Sequence, residues 1–151
     1  MRCASCNQET AEPADVEIRR EIAGHLFTAT VRGWRCVACR EEIYEAADIE
    51  RFDAATALAL AGAGADGGDV FRLMRKAIGL RAVDLAELLG VTPETLSRWE
   101  TGKHPIDHGA LALLALLVMD HAKGATSTLD ALRARAHPHP LDKRIELKLA
   151  S

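Results

Sequence analysis

The spacing of hydrophobic residues divides the chain into a β-rich first third and a helical remainder. Residues 16–22 and 27–31 are rich in β-forming side chains with partial alternation, and Gly24-His25 is typical of a turn between two strands. Further along, hydrophobic residues recur near helical spacing and predict a helix over 46–61.

The rest of the chain reads as short helices separated by glycines. The second and third of five predicted helices meet at Gly90, and Thr92 is a good N-cap for the third. A fourth helix, apolar on all sides, is predicted over 110–119, and a weaker fifth over 128–136. Residues 145–149 alternate as a terminal strand does, and we leave open whether they pair with a second copy, pair with a sheet edge or fray.

Residues 62–68 contain four glycines and predict a flexible hinge between two domains. We therefore expect an N-terminal domain over 1–61, a helical domain over 69–136 and a C-terminal extension over 137–151. The predicted fold class is mostly α, with a small metal-bound α+β domain followed by a five-helix bundle.

Composition and charge narrow the class of protein. The chain is 48% hydrophobic and 27% charged, which is typical of a globular protein. We see no apolar run long enough for a membrane span and no targeting segment, so we expect a cytoplasmic protein. Residues 1–66 carry 7 Lys+Arg against 12 Asp+Glu, and residues 67–151 carry 12 against 10. Only the second part is therefore expected to face phosphates without repulsion.

The four cysteines form two matched pairs, each with two intervening residues. Cys3 and Cys6 are followed, after 29 residues, by Cys36 and Cys39. This spacing is typical of two knuckles that present four thiolates to one tetrahedral Zn²⁺, and we predict one zinc ion per chain. The alternatives are disulfides or redox pairs, which require an oxidising compartment or a thioredoxin-like βαβ unit, and an iron site.

The segment from Leu85 to Lys103 has the pattern of a helix-turn-helix. A glycine separates two short helices, and Leu96 and Trp99 are expected to face the core. The opposite face of the second helix then fits the major groove, where an arginine pairs with guanine O6 and N7. The alternative is a helical bundle with an incidental surface arginine. The candidate DNA contacts are Arg81, Glu94, Thr95, Ser97, Arg98 and Lys103.

The sequence Ser97-Arg98-Trp99-Glu100 resembles the recognition helix of Cro/repressor (Xre-type) domains. Together with the two cysteine pairs, it makes residues 1–123 similar to the MqsA (YgiT-type) zinc-finger antitoxins. The resemblance implies a zinc domain joined to a helix-turn-helix that represses its own operon as a dimer and neutralises an mRNA-cleaving toxin. It also places Arg98 at the family's DNA-contacting arginine. Glu94 stands where the family carries an amide, and Ala82 replaces the usual first-turn glutamine.

These patterns predict a sequence-specific repressor and no enzyme, since no set of catalytic side chains is visible. The expected partners are a near-palindromic operator, a second copy bound through the C-terminal domain, and a toxin bound by the N-terminal domain. The alternatives are a stand-alone Xre-type regulator with no toxin and a thiol or metal sensor.

Overall fold

The structure, a computed structural model, describes residues 1–150. A small antiparallel sheet with strand order β1-β2-β3 is followed by six helices. The elements are β1 (Ala11–Ile22), β2 (His25–Cys36), β3 (Glu42–Ile43), α1 (Ala46–Gly62), α2 (Gly68–Ala77), α3 (Ala82–Leu89), α4 (Pro93–Glu100), α5 (His108–Ala122) and α6 (Ser127–Ala136).

The β1–β2 hairpin buries one face and exposes the other. Val16 opposite Val31 and Ile18 opposite Ala29 turn the apolar face toward α1, and Glu17 lies on the solvent side. The strands are longer than predicted, and the connection is Ala23-Gly24 rather than the predicted Gly24-His25. Both turn residues have positive φ, at 53° and 75°, as expected for a tight hairpin turn.

One hydrophobic core joins the hairpin to the helices. Phe71, Leu85, Leu96 and Leu114 are fully buried at its centre. The same cluster includes Ile22 from β1 and residues 57, 60 and 61 from α1. The predicted α+β domain followed by a five-helix bundle is confirmed, with α2–α6 as the five helices. Because α1 packs on α2 and α5, the division at residues 61 and 69 stays a prediction.

The glycine-rich connection between α1 and α2 is shorter than the hinge predicted over residues 62–68. Its C-terminal neighbour Gly68 packs closely against the end of α4. Helix α1 extends to Gly62 and α2 begins at Gly68, so only five residues connect them. A Cβ on Gly68 would lie 2.5 Å from the carbonyl oxygen of Trp99. A glycine is therefore required here to let the start of α2 approach the end of α4.

The hydrophobic spacing alone did not assign two short segments. Residues 42–43, which precede the predicted helix, form strand β3 beside Trp34 and Arg35. The alternating segment 145–149 has no regular secondary structure, because no neighbouring strand in the described chain supplies backbone partners. None of the helices within residues 1–150 is long and apolar enough to cross a membrane.

Helix α6 is held at its first turn by a carboxylate from α5. Asp120 accepts hydrogen bonds from the Thr128 backbone N–H at 3.1 Å, from the Thr128 hydroxyl at 2.7 Å and from the Ser127 hydroxyl at 3.2 Å. The bonds from Thr128 are the main cause of a lowered pKa of Asp120. This contact sets where the C-terminal extension begins.

We expect Asp120→Ala to lower the thermal midpoint of unfolding at neutral pH. The lowered pKa means that the ionised carboxylate stabilises the folded chain above its unfolded pKa of about 3.9. That contribution is lost as the pH falls through the folded pKa, so the difference from wild type should shrink in acid. Melting curves between neutral and acid pH measure this, with the exposed Glu50→Ala as control. A constant difference at every pH would contradict it.

Candidate metal centre and nucleic-acid interface

The four cysteines come together at the end of the hairpin farthest from its turn. Their sulfur atoms lie within 4.8 Å of one another, and all four cysteines are free thiols. The distances from Cys3 Sγ to Cys39 Sγ and from Cys6 Sγ to Cys36 Sγ are both 3.6 Å. Four sulfurs at a Zn–S distance of about 2.3 Å form a tetrahedron with edges of about 3.8 Å. The donor set therefore fits a tetrahedral metal ion.

The two cysteine pairs have the same backbone geometry. The first cysteine of each pair donates its N–H to the carbonyl five residues later, from Cys3 to Gln8 and from Cys36 to Glu41, both at 2.9 Å. The residue four positions after each first cysteine has positive φ, 59° at Asn7 and 62° in the second knuckle. Each loop thus closes on itself and directs both sulfurs to one side.

Thr10 connects the two knuckles and contacts one sulfur directly. Its carbonyl accepts from the Val37 N–H at 2.9 Å, and its hydroxyl lies 3.0 Å from Cys36 Sγ. This side-chain hydrogen bond, aided by the backbone N–H groups of Cys39 and Ala38, lowers the pKa of the Cys36 thiol to about 6. Thr10 therefore favours a thiolate at Cys36.

The Cys39 thiol shows why the cluster suits a cation. The Glu41 N–H by itself lowers the pKa of the Cys39 thiol, but burial and the hydrogen bonds with the other three cysteines together raise it to about 12. Four sulfurs this close cannot all carry negative charge in a metal-free cluster, because like charges at such distances repel strongly. A divalent cation bound among them removes that repulsion.

Helix α4 presents the predicted recognition face. Thr92 caps the helix by accepting the Thr95 N–H at 3.1 Å, and Pro93 stands at the first helical position. Leu96 and Trp99 are buried, and Trp99 packs edge-to-face on Phe71 with ring centroids 5.8 Å apart. The sequence pattern predicted these orientations correctly. The helix therefore turns its polar side to solvent.

Five of the six predicted DNA-contacting residues lie on α4 or on the loop that follows it, and the sixth lies beside α3. Glu94, Ser97, Arg98 and Lys103 are exposed, and Thr95 is half-buried. The Lys103 N–H donates to the Arg98 carbonyl at 2.9 Å, which folds the loop back onto the end of α4. These positions remain predicted contacts.

Arg81 differs from the other candidates because a carboxylate already holds it. Its guanidinium lies 2.8 Å from Asp84 Oδ2 and 3.0 Å from Oδ1. This hydrogen bond lowers the pKa of Asp84 and raises that of Arg81. A phosphate would therefore have to compete with Asp84 for this arginine.

A buried ion pair fixes α4 against α2. Arg75 Nε lies 2.6 Å from Glu100 Oε1, and both side chains are only 9% exposed. Arg75 also donates to Glu100 Oε2 at 3.2 Å and to the Leu80 carbonyl at 2.9 Å. Arg75 therefore contributes no free charge to the surface around the first helices. Its partner lies in another helix, which helical spacing cannot reveal.

Thr10 was also missed, because nothing in the spacing of a lone threonine distinguishes it from a surface residue. The signal available was its place immediately before β1, close in sequence to the first cysteine pair. A metal-binding sulfur in a protein is usually hydrogen-bonded by nearby groups. A hydroxyl-bearing residue close in sequence to a cysteine pair is therefore a candidate for such a hydrogen bond.

A family model for a helix-turn-helix domain matches residues 68–119, from the start of α2 into α5. This match covers less than half of the chain. No curated protein matches the chain. The matched segment contains α3, the Gly90 turn and α4 in the arrangement described above. The chain therefore contains a DNA-binding helix-turn-helix domain, which indicates a transcriptional regulator rather than an enzyme, together with four cysteines placed to hold a metal ion.

We expect Thr10→Val to weaken Zn²⁺ binding by about 10- to 100-fold, because the change removes the hydroxyl that stabilises the Cys36 thiolate. Competition with a chromophoric chelator on the full chain measures the affinity. Thr28→Val, on the exposed face of β2, makes the same chemical change away from the sulfurs. Equal affinity in the two variants would show that the hydroxyl does not support metal binding.

Proposed function

We propose that this protein is a sequence-specific DNA-binding transcriptional repressor with one Zn²⁺ held by Cys3, Cys6, Cys36 and Cys39. The observation that carries the proposal is the exposed polar face of α4. The opposite face of this helix is fixed against α2 by the Phe71–Trp99 contact and the Arg75–Glu100 ion pair. Arg98 lies on the exposed face and has no ion-pair partner in residues 1–150, whereas Arg75 and Arg81 are both bound to carboxylates. Arg98 is therefore free to pair with a guanine edge.

Two neighbouring features adapt this face to a particular operator. Glu94 lies on the same exposed side and favours a cytosine amino group over adenine. Lys103, held at the end of α4, is placed to meet a phosphate oxygen. We therefore propose that Arg98 and Glu94 read bases and that Lys103 sets the position on the backbone.

We expect Arg98→Ala to weaken specific binding by about 1–3 kcal/mol and to leave the fold intact. The cognate site is first selected from a random duplex library with the wild-type chain, and affinities are then measured at one salt concentration. Arg135→Ala, an exposed arginine on α6, removes the same charge elsewhere. If Arg98→Ala retains wild-type affinity and the same selected sequence, Arg98 does not read bases.

We further propose that the protein binds its operator as a homodimer through the helical domain. Leu116 on α5 is 48% exposed, and Ala112 lies on the same face of that helix one turn earlier. Exposed apolar side chains in this arrangement favour a subunit contact. A twofold dimer also matches the half-site geometry of helix-turn-helix readers on near-palindromic sites.

The finer proposal is that the protein is an MqsA-like antitoxin that autoregulates its operon. Its support is the resemblance in residues 1–123 and the acidic first part of the chain. Two carboxylates of this acidic part are already in ion pairs within the chain. Glu42 pairs with Arg35, and Asp48 pairs with Arg51. Glu41, Glu45 and Glu50 remain exposed for a basic partner.

Co-expression with the product of the adjacent reading frame tests the antitoxin proposal. We expect a stable complex, and relief of growth inhibition by the toxin when the full chain is present. If the neighbouring product neither binds nor inhibits growth, the stand-alone regulator is favoured. Zinc that stays fully bound through mild oxidation would count against the third candidate, a thiol sensor.

A further inference from the structure

The C-terminal segment 141–149 leaves four large aliphatic side chains in solvent. Leu141, Ile145, Leu147 and Leu149 are 83%, 52%, 75% and 87% exposed. No hydrogen bond connects residues 138–150 to any other part of the described chain. A run of exposed apolar residues this dense is unusual for a surface and typical of a segment that pairs with a partner.

The segment has a bend at residues 143–144 and no strand in the single chain, but in an extended conformation its apolar residues fall on one side. Positions 141, 145, 147 and 149 share one face, because side chains alternate along a strand. Lys143 is the one charged residue on that face, and its aliphatic stem can cover a neighbouring leucine. The opposite face carries charges of alternating sign at every position. These are Asp142, Arg144, Glu146 and Lys148.

This charge order is complementary to itself when two copies run antiparallel. With Ile145 opposite Ile145, each Asp142 faces a Lys148 and each Arg144 faces a Glu146. All four charged residues of the polar face then have an oppositely charged neighbour, and Leu141 lies opposite Leu149 on the apolar face. Cross-strand pairs of both kinds stabilise a sheet, and directly opposed like charges destabilise it.

Neighbouring registers fit less well. A pairing centred on Glu146 opposes two glutamates and also brings Arg144 against Lys148. A pairing centred on Leu147 matches Glu146 with Lys148 but leaves Arg144 opposite the uncharged Ala150. Of these three registers, the one about Ile145 is favoured, because it alone gives every charged residue of the polar face an oppositely charged neighbour.

We propose that residues 141–149 of two copies pair as antiparallel strands about Ile145, and that this ribbon fastens the homodimer. The inference rests on the homodimer of the proposed function and names a second contact in it. Helix α6 is anchored to α5 by Asp120, and His137 lies 3.0 Å from Glu87 of α3, so both extensions start from fixed points. The α5 contact raises the effective concentration of the two tails, which an isolated two-stranded ribbon needs in order to be stable.

Cysteine cross-linking on the zinc-loaded full chain tests the register. Ile145→Cys places two thiols opposite each other across the twofold axis, at a separation that a disulfide spans. Leu147→Cys is the matched control, because in this register its two copies lie about 13 Å apart along the ribbon. We expect fast covalent dimerisation of Ile145→Cys alone. Equal cross-linking, or faster cross-linking of Leu147→Cys, would overturn the proposed register.

Charge reversal tests the pairing without a covalent bond. Glu146→Arg alone, or Arg144→Glu alone, places like charges opposite each other twice and should weaken the dimer about fivefold or more in sedimentation equilibrium. The double variant Arg144→Glu/Glu146→Arg restores opposite charges and should recover wild-type dimerisation. No hydrogen bond joins residues 138–150 to the rest of the described chain, so circular dichroism should be unchanged throughout.

The outcomes separate the two proposals. A wild-type dimer that is weakened by each single reversal and rescued by the double variant supports the ribbon. A wild-type dimer that is indifferent to all three variants overturns the ribbon and leaves the helical dimer standing. A wild-type chain that is monomeric overturns both, and operator binding by that monomer then shows whether the DNA-binding proposal survives.

Discussion

The ion pair between Arg75 and Glu100 is the constraint on which the DNA-binding surface depends. Both groups are almost completely removed from water, so each would be left with an uncompensated charge if the other moved away. The pair therefore contributes a fixed arrangement more than net stability. Together with the edge-to-face contact between Phe71 and Trp99, it prevents α4 from rotating about its axis. The outward direction of Arg98 follows from these contacts behind the helix.

A second constraint operates at the other end of the molecule, where apolar burial is scarce. The hairpin carries its polar residues on a solvent-facing side, and Cys3, Ala11 and Cys36 are the buried residues at its open end. Two knuckles with the same hydrogen bonds bring four sulfurs together there. The two constraints are joined by one core, since Ile22 and α1 pack on the same cluster as α2 and α5.

Much of this organisation was readable from local patterns. The cysteine spacing predicted the sulfur cluster, and the cap at Thr92 and the glycine at 90 placed α4 and its preceding turn correctly. Helix α1 was predicted within one residue at its end. These features are local, because capping, knuckle formation and amphipathic spacing depend on residues a few positions apart.

The sequence by itself determined which segments are helical, which residues carry thiolates and which face of α4 is polar. The tertiary structure alone decided that Arg75 is buried against Glu100, that Thr10 reaches Cys36, and that α1 shares its core with the helical domain. The physical reason is distance along the chain. The partners in these contacts are brought together by packing between elements, and the pattern within a single element holds no information about which other element will lie beside it.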